Sequence, residues 1–116
     1  MEAILVDELR KDGAIARRLA SGRPVALTMR PEDGNSMCGI LDHGCVVVIT
    51  PVESGEAVQP GDIVFVRWKH GNYICHLVKE LRDAEALIAN SSGYENGWAP
   101  LRDILGKVTE IKRPEV

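Results

Sequence analysis

Aromatic side chains are scarce in this 116-residue chain: two Trp, two Tyr and a single Phe, 4% in all. Because 45% of the residues are hydrophobic, the apolar interior has to be built from Val, Ile, Leu and Ala. Long apolar runs are missing too; none approaches the roughly 20 residues that span a bilayer. The first residues, "MEAILVDELRKDG", carry acids early and lack the apolar core of a signal peptide. Positive charge is nowhere concentrated. Lys and Arg number 14 against 17 Asp and Glu, a net charge of −3, and they are interspersed, so no surface for a phosphate backbone is indicated. These absences predict a cytoplasmic protein with no membrane anchor and no nucleic-acid partner. The length predicts a single compact domain.

Cysteine is also sparse. Cys38, Cys45 and Cys75 are an odd number with no CxxC spacing, which argues against a disulfide framework. His43, Cys45, Cys75 and His76 form a set from which a zinc site could be imagined. Zinc sites favour tighter paired spacing, and neighbours on a strand such as Cys75 and His76 point to opposite faces. Reduced thiols, no metal and no cofactor are expected.

The patterning that is present divides the chain. Over residues 3–21, Leu5, Leu9, Ala16, Leu19 and Ala20 fall near one helical face, with Glu8, Arg10, Lys11, Arg17 and Arg18 off it. Gly13 weakens the middle, so the segment is either one kinked helix or two short ones. Ser21-Gly22 is the expected stop. From Pro24 onward the pattern is β. Strands are expected at "PVALTMR" (24–30), "CVVVITPV" (45–52), "DIVFVRW" (62–68), "NYICHLVKEL" (72–81), "EALIAN" (85–90) and "DILGKVTEIK" (103–112). The continuous β-branched run at 45–52 suits a buried strand. The turn "QPGD" precedes the strand at 62. Within 72–81, Tyr73, Cys75 and Leu77 share one face, and Ile74, His76 and Val78 the other. "SSGYENGWAP" (91–100) is expected as a loop, and Gly106 as a bulge or a close approach. The whole is a mainly β, mostly antiparallel and partly closed fold. An N-terminal helix and lead-in strand occupy 1–30, and the β core 31–116.

One serine stands out. In "DGNSMCGILDHG" (33–44), Ser36 sits between Gly34 and Gly39. Glycines placed so let backbone N–H groups converge on one spot, as an oxyanion hole requires. A serine hydroxyl is a weak nucleophile and needs a base. His76 is a polar residue between Cys75 and Leu77 in an apolar strand, where such a group needs a reason. An imidazole titrates near neutrality, whereas the rival base, Lys79, would have to be desolvated to lose its proton. Lys79 also lies three residues on, facing away from His76 on a regular strand. His43 and His70 sit beside glycines and read as surface residues.

Four blocks in order, "GNSMCGILDHGCVVVI", "VQPGDIVFVRW", "YICHLVKEL" and "LIANSSGYENGW…DILGKV", resemble the LexA/signal-peptidase superfamily of serine peptidases. The resemblance covers about residues 32–112. It implies a LexA/signal-peptidase-like complex β-fold and a peptide or protein substrate. It also implies Ser36 as nucleophile, Ser36 and Met37 as backbone oxyanion donors, and His76 in the base position. Many members use lysine there; histidine is similar to the archaeal and endoplasmic-reticulum signal peptidases. The acidic third member of those enzymes lies near a "GDN" segment. The comparable stretch here is "ANSSG", with Asn90 or Ser91 nearby, so Asn90, Asp62 and Asp103 are the candidates for orienting the imidazole. The family's Gly-Asp after the serine is replaced by Gly44-Cys45. Soluble members often cleave themselves at a small residue–Gly bond upstream, for which Ser21-Gly22 is the nearest candidate. The roughly 30 residues before the core are too few for a LexA-type helix-turn-helix domain. Two functions follow: a serine endopeptidase with a Ser36–His76 dyad, or a catalytically inactive module that keeps the fold and binds peptides. A homodimer is left open.

Overall fold

The computed structural model describes residues 4–5, 12–28, 44–53 and 58–113. The described residues are mainly β, with one short helix and one sheet. In chain order the elements are β1 (Ile4–Leu5), α1 (Asp12–Ala20), β2 (Val25–Thr28), β3 (Val46–Pro51), β4 (Ile63–Arg67), β5 (Tyr73–Arg82), β6 (Glu85–Ala89), β7 (Glu95–Pro100) and β8 (Ile104–Lys112). The sheet order is β1-β2-β3-β8-β4-β5-β6-β7. β1 pairs parallel with β2, and every other pairing is antiparallel.

The helix is shorter than the periodicity of residues 3–21 predicts. Ile4 and Leu5 pair with Val25 and Ala26 as a strand, and α1 begins at Asp12, so Gly13 falls in its first turn instead of its middle. A sheet edge able to accept a strand overrides helical spacing in so short a segment. Ile15, Ala16 and Leu19 are buried, whereas Ala20 is exposed. The stop at Ser21-Gly22 is as expected. Arg23 N–H donates to Arg18 C=O and Gly22 N–H to Leu19 C=O, the paired bonds of a Schellman cap, with Gly22 at φ 82°. The Arg18 guanidinium also donates to Pro24 C=O at 2.9 Å, tying the cap to the start of β2.

Alternation along β4 divides the interior in two. Ile63 and Phe65 join α1, Val25, Val47 and Ile49 in one cluster; Val64 and Val66 join Val58, Val78, Ala86, Ile88, Ala99 and Ile104 in the other. β5 follows suit as the sequence predicts, with Tyr73, Cys75 and Leu77 against the first cluster and Ile74 and Val78 in the second. β3 departs from expectation. Its β-branched run is buried only at alternate positions, Val47 and Ile49, because α1 covers one face alone.

The expected loop at 91–100 is also corrected, since its second half forms β7 and pairs with β6. Asn, Gly and Pro there suggest irregular chain, but β6 offers a complete partner edge. A single 3-10 turn, Leu101–Asp103, then joins β7 to β8. These strands are consecutive in sequence yet have β4, β5 and β6 between them in the sheet. Four strand spacings in a flat sheet come to about 19 Å. The chain from Pro100 to Ile104 reaches at most about 14 Å. The sheet therefore curls, and Ala99, Leu101 and Ile104 meet inside the curl.

Gly106 is the close approach that was expected. A Cβ there would lie 2.8 Å from Ile49 Cγ2, 2.9 Å from the Thr50 carbonyl oxygen and 3.2 Å from Leu19 Cδ1. One of these neighbours is backbone and cannot swing away. Gly106→Ala should lower stability by about 1–3 kcal/mol, read as a reduced urea midpoint with an unchanged slope; an unchanged midpoint would contradict this packing.

Candidate active site

His76 is half-buried on β5, flanked on its own face by Ile74 and Val78 and facing Val64 of β4. It therefore lies on the concave face of the curl. Its Nδ1 is 2.8 Å from Asn96 Oδ1 on β7, two strands away. An amide oxygen only accepts, so Nδ1 carries the proton and Nε2 is the basic nitrogen.

Asn96 reaches the ring because of a β-bulge. Ile88 faces Gly97 while Ala89 faces Glu95, which makes Asn96 the extra residue. Regular alternation from Gly97 would send Asn96 outward; the bulge turns it inward. Sequence reasoning missed this residue. Its only local signal is the Asn-Gly pair in "YENGW", which ordinarily marks a turn.

The three residues considered for the orienting role are engaged elsewhere. Asn90 closes the β6–β7 loop, its Oδ1 accepting from Ser92 N–H at 3.0 Å, Ser92 Oγ–H at 2.9 Å and Tyr94 N–H at 2.9 Å. Asp62 caps the turn before β4 by accepting from Gln59 N–H at 2.8 Å, and lies 3.7 Å from Lys107 Nζ. Asp103 lies 3.9 Å from an Arg67 guanidinium nitrogen at the far end of β4. Ser36 and Met37 fall outside the described residues, as do Cys38 and His43.

Lys79 occupies a second bulge, between the pairs Val78–Ile88 and Glu80–Leu87. Its ammonium donates to Glu95 at 2.5 Å on the surface. This hydrogen bond, and then the Glu95 charge, raise the Lys79 pKa above its ordinary value. A lysine base needs the opposite shift. Among the described residues Lys107 also lies on the concave face, since Val64 pairs with both Lys107 and His76. Two strand spacings, about 10 Å, separate it from His76.

The cysteines behave as a strand predicts. Neither Cys45 nor Cys75 is in a disulfide. Cys75 packs toward the α1 cluster, on the opposite face from His76, so these two do not converge on one ion. Among the described residues no group of three or more His, Cys, Asp or Glu is arranged to hold a metal, and no helix is long and apolar enough to cross a membrane. His70 is exposed, in a 3-10 turn at φ 59°. The chain matches no protein-family model and no curated protein.

The imidazole's orientation depends on Asn96. Asn96→Ala should redistribute the His76 proton between Nδ1 and Nε2, visible in the imidazole 15N shifts, at a stability cost of about 1 kcal/mol. Lys79→Ala should leave those shifts unchanged. Identical spectra for Asn96→Ala and the unaltered protein would show that Asn96 does not set the tautomer.

Proposed function

We propose that this chain is a serine endopeptidase of the LexA/signal-peptidase type, acting on a peptide or protein with a Ser36–His76 dyad. The observation that carries the proposal is the Nδ1–Asn96 hydrogen bond. It holds a half-buried imidazole on a strand with Nε2 as the basic nitrogen, the tautomer a general base requires. An asparagine in this role orients the ring without adding charge, as in Cys-His-Asn peptidases.

In the proposed reaction Ser36 Oγ attacks the peptide carbonyl carbon and its proton passes to His76 Nε2. The carbonyl oxygen becomes an oxyanion held by the backbone N–H groups of Ser36 and Met37. Collapse breaks the C–N bond, the Nε2 proton leaves with the amine, and a water repeats the sequence on the acyl-enzyme. Lys79 takes no part, being held protonated by Glu95. The proposed setting is the cytoplasm, with no nucleic acid as partner.

One observation favours a second reading, a catalytically inactive module that binds peptides. The partner of Nδ1 is an amide, which cannot offset the charge of an imidazolium as a carboxylate does.

A serine-directed fluorophosphonate should label Ser36. His76→Ala should slow labelling by about 100-fold or more with the circular dichroism spectrum unchanged, and Lys79→Ala should leave the rate unaltered. Absence of labelling, or labelling indifferent to His76→Ala, would leave the binding module as the function.

A further inference from the structure

Both tryptophans of this aromatic-poor chain line one surface cleft. It has a volume of about 290 Å³ and lies between the end of β4 and β7, with Trp68 and Trp98 as walls, Ala99 and Pro100 beneath, and Arg67, Lys69 and Asp103 around it. Each indole is held from elsewhere. The Trp68 ring lies against β7, 3.8 Å from where a Cβ on Gly97 would stand. The Arg82 guanidinium, outside the lining, stacks over Trp98 at 4.0 Å from the ring centre. Lys69 Nζ sits 5.8 Å from the Trp68 ring. Arg67 is half-exposed and only loosely paired with Asp103 at 3.9 Å. The cleft thus joins rigid aromatic walls to exposed cations in a chain of net negative charge.

We propose that this cleft is a peptide subsite, taking a large apolar or aromatic side chain between the indoles and an adjacent carboxylate on Arg67 and Lys69. The inference rests on the reading of the concave site as one that engages peptides. The link between the two is β7. It has β6 on one side and no described strand on the other, and such an edge accepts an extended peptide through main-chain hydrogen bonds. β7 carries Asn96, turned inward by the bulge to orient His76, and, about 7 Å along the strand, Trp98 on the opposite face. A peptide laid on β7 spans both. Pre-held indoles cost little ordering on binding, and the cations select for acidic neighbours.

The test uses the full chain with Ser36→Ala, so that no peptide is turned over. The chain has only two Trp, both in this cleft, so fluorescence excited selectively in tryptophan reports on it alone. Capped alanine octapeptides bearing a central Phe-Glu, Phe-Lys or Ala-Glu are titrated in turn. The expected result is a saturable change with Phe-Glu and a Kd at least about tenfold lower than for the other two. Lys69 is exposed, so its replacement does not threaten the fold. Lys69→Glu should remove the preference for Phe-Glu over Phe-Lys, and Lys69→Arg should keep it. No saturable response, equal affinities, or tighter binding of adenosine monophosphate in competition with Phe-Glu would overturn the proposal. Fluorophosphonate labelling of the unaltered protein separates the two ideas. Selective binding without labelling removes the dyad and leaves the subsite; labelling without selectivity removes the subsite and leaves the dyad.

Discussion

A three-residue connection constrains this molecule more than any single contact. Leu101–Asp103 ties strands that the sheet order sets four positions apart, and a chain that short cannot span a flat sheet. Curling is therefore compulsory. Once the sheet curls, Ala99 and Ile104 share a cluster with Val64 and Ile88, and Trp68 at the end of β4 comes against Gly97 on β7. Among the described residues, the buried members of the inner cluster are Val, Ile and Ala, with Trp68 packed at its margin, in keeping with a composition that supplies few aromatics. Val, Ile and Ala fill a tightly curved interior because small β-branched side chains suit its inner surface.

Within that curl, two β-bulges sort the polar side chains. One places Lys79 on the surface with Glu95. The other brings Asn96 inward to His76. The charged pair stays in water, where neither partner pays a large desolvation penalty. The amide–imidazole pair goes to the half-buried face, where a hydrogen bond satisfies groups that would be costly to leave unmatched. The same division decides the chemistry available to each. A lysine bound to a carboxylate holds its proton more firmly, while an imidazole donating through Nδ1 presents a lone pair at Nε2.

Much of the architecture was legible from residue patterns. The two-faced division of β5, the turn at Pro60-Gly61, the β5–β6 hairpin and the tight packing at Gly106 all follow from alternation and from what glycine and proline permit. What escaped was decided by partners distant in sequence. Ile4 and Leu5 fit a helical stripe as well as a strand, and only the edge of β2 decides between them. "ENGWAP" carries three turn-forming residues, and only the edge of β6 makes it a strand. His76 was identifiable because a polar residue in an apolar strand is locally conspicuous. Asn96 was not, because its direction depends on a bulge that spacing alone does not encode. Asn90, the nearer guess by position, is occupied in shaping its own loop.

The Schellman cap at the end of α1 bears on any self-processing of the chain. Peptidases of every mechanism bind the segment they cut in an extended form, whereas Gly22 sits in the left-handed region with its own N–H tied back to Leu19 and those of Ser21 and Arg23 to Arg18. The Ser21–Gly22 bond is thus held out of the extended form in the folded state. Hydrolysis there would draw only on molecules in which the end of α1 has opened, releasing Leu19 from beneath Gly106 as it does so. When opening and closing are fast relative to cleavage, the observed rate follows the free energy of that local opening as well as the reactivity of the serine. For any peptidase acting at this bond, the stability of α1 would set the pace of cleavage.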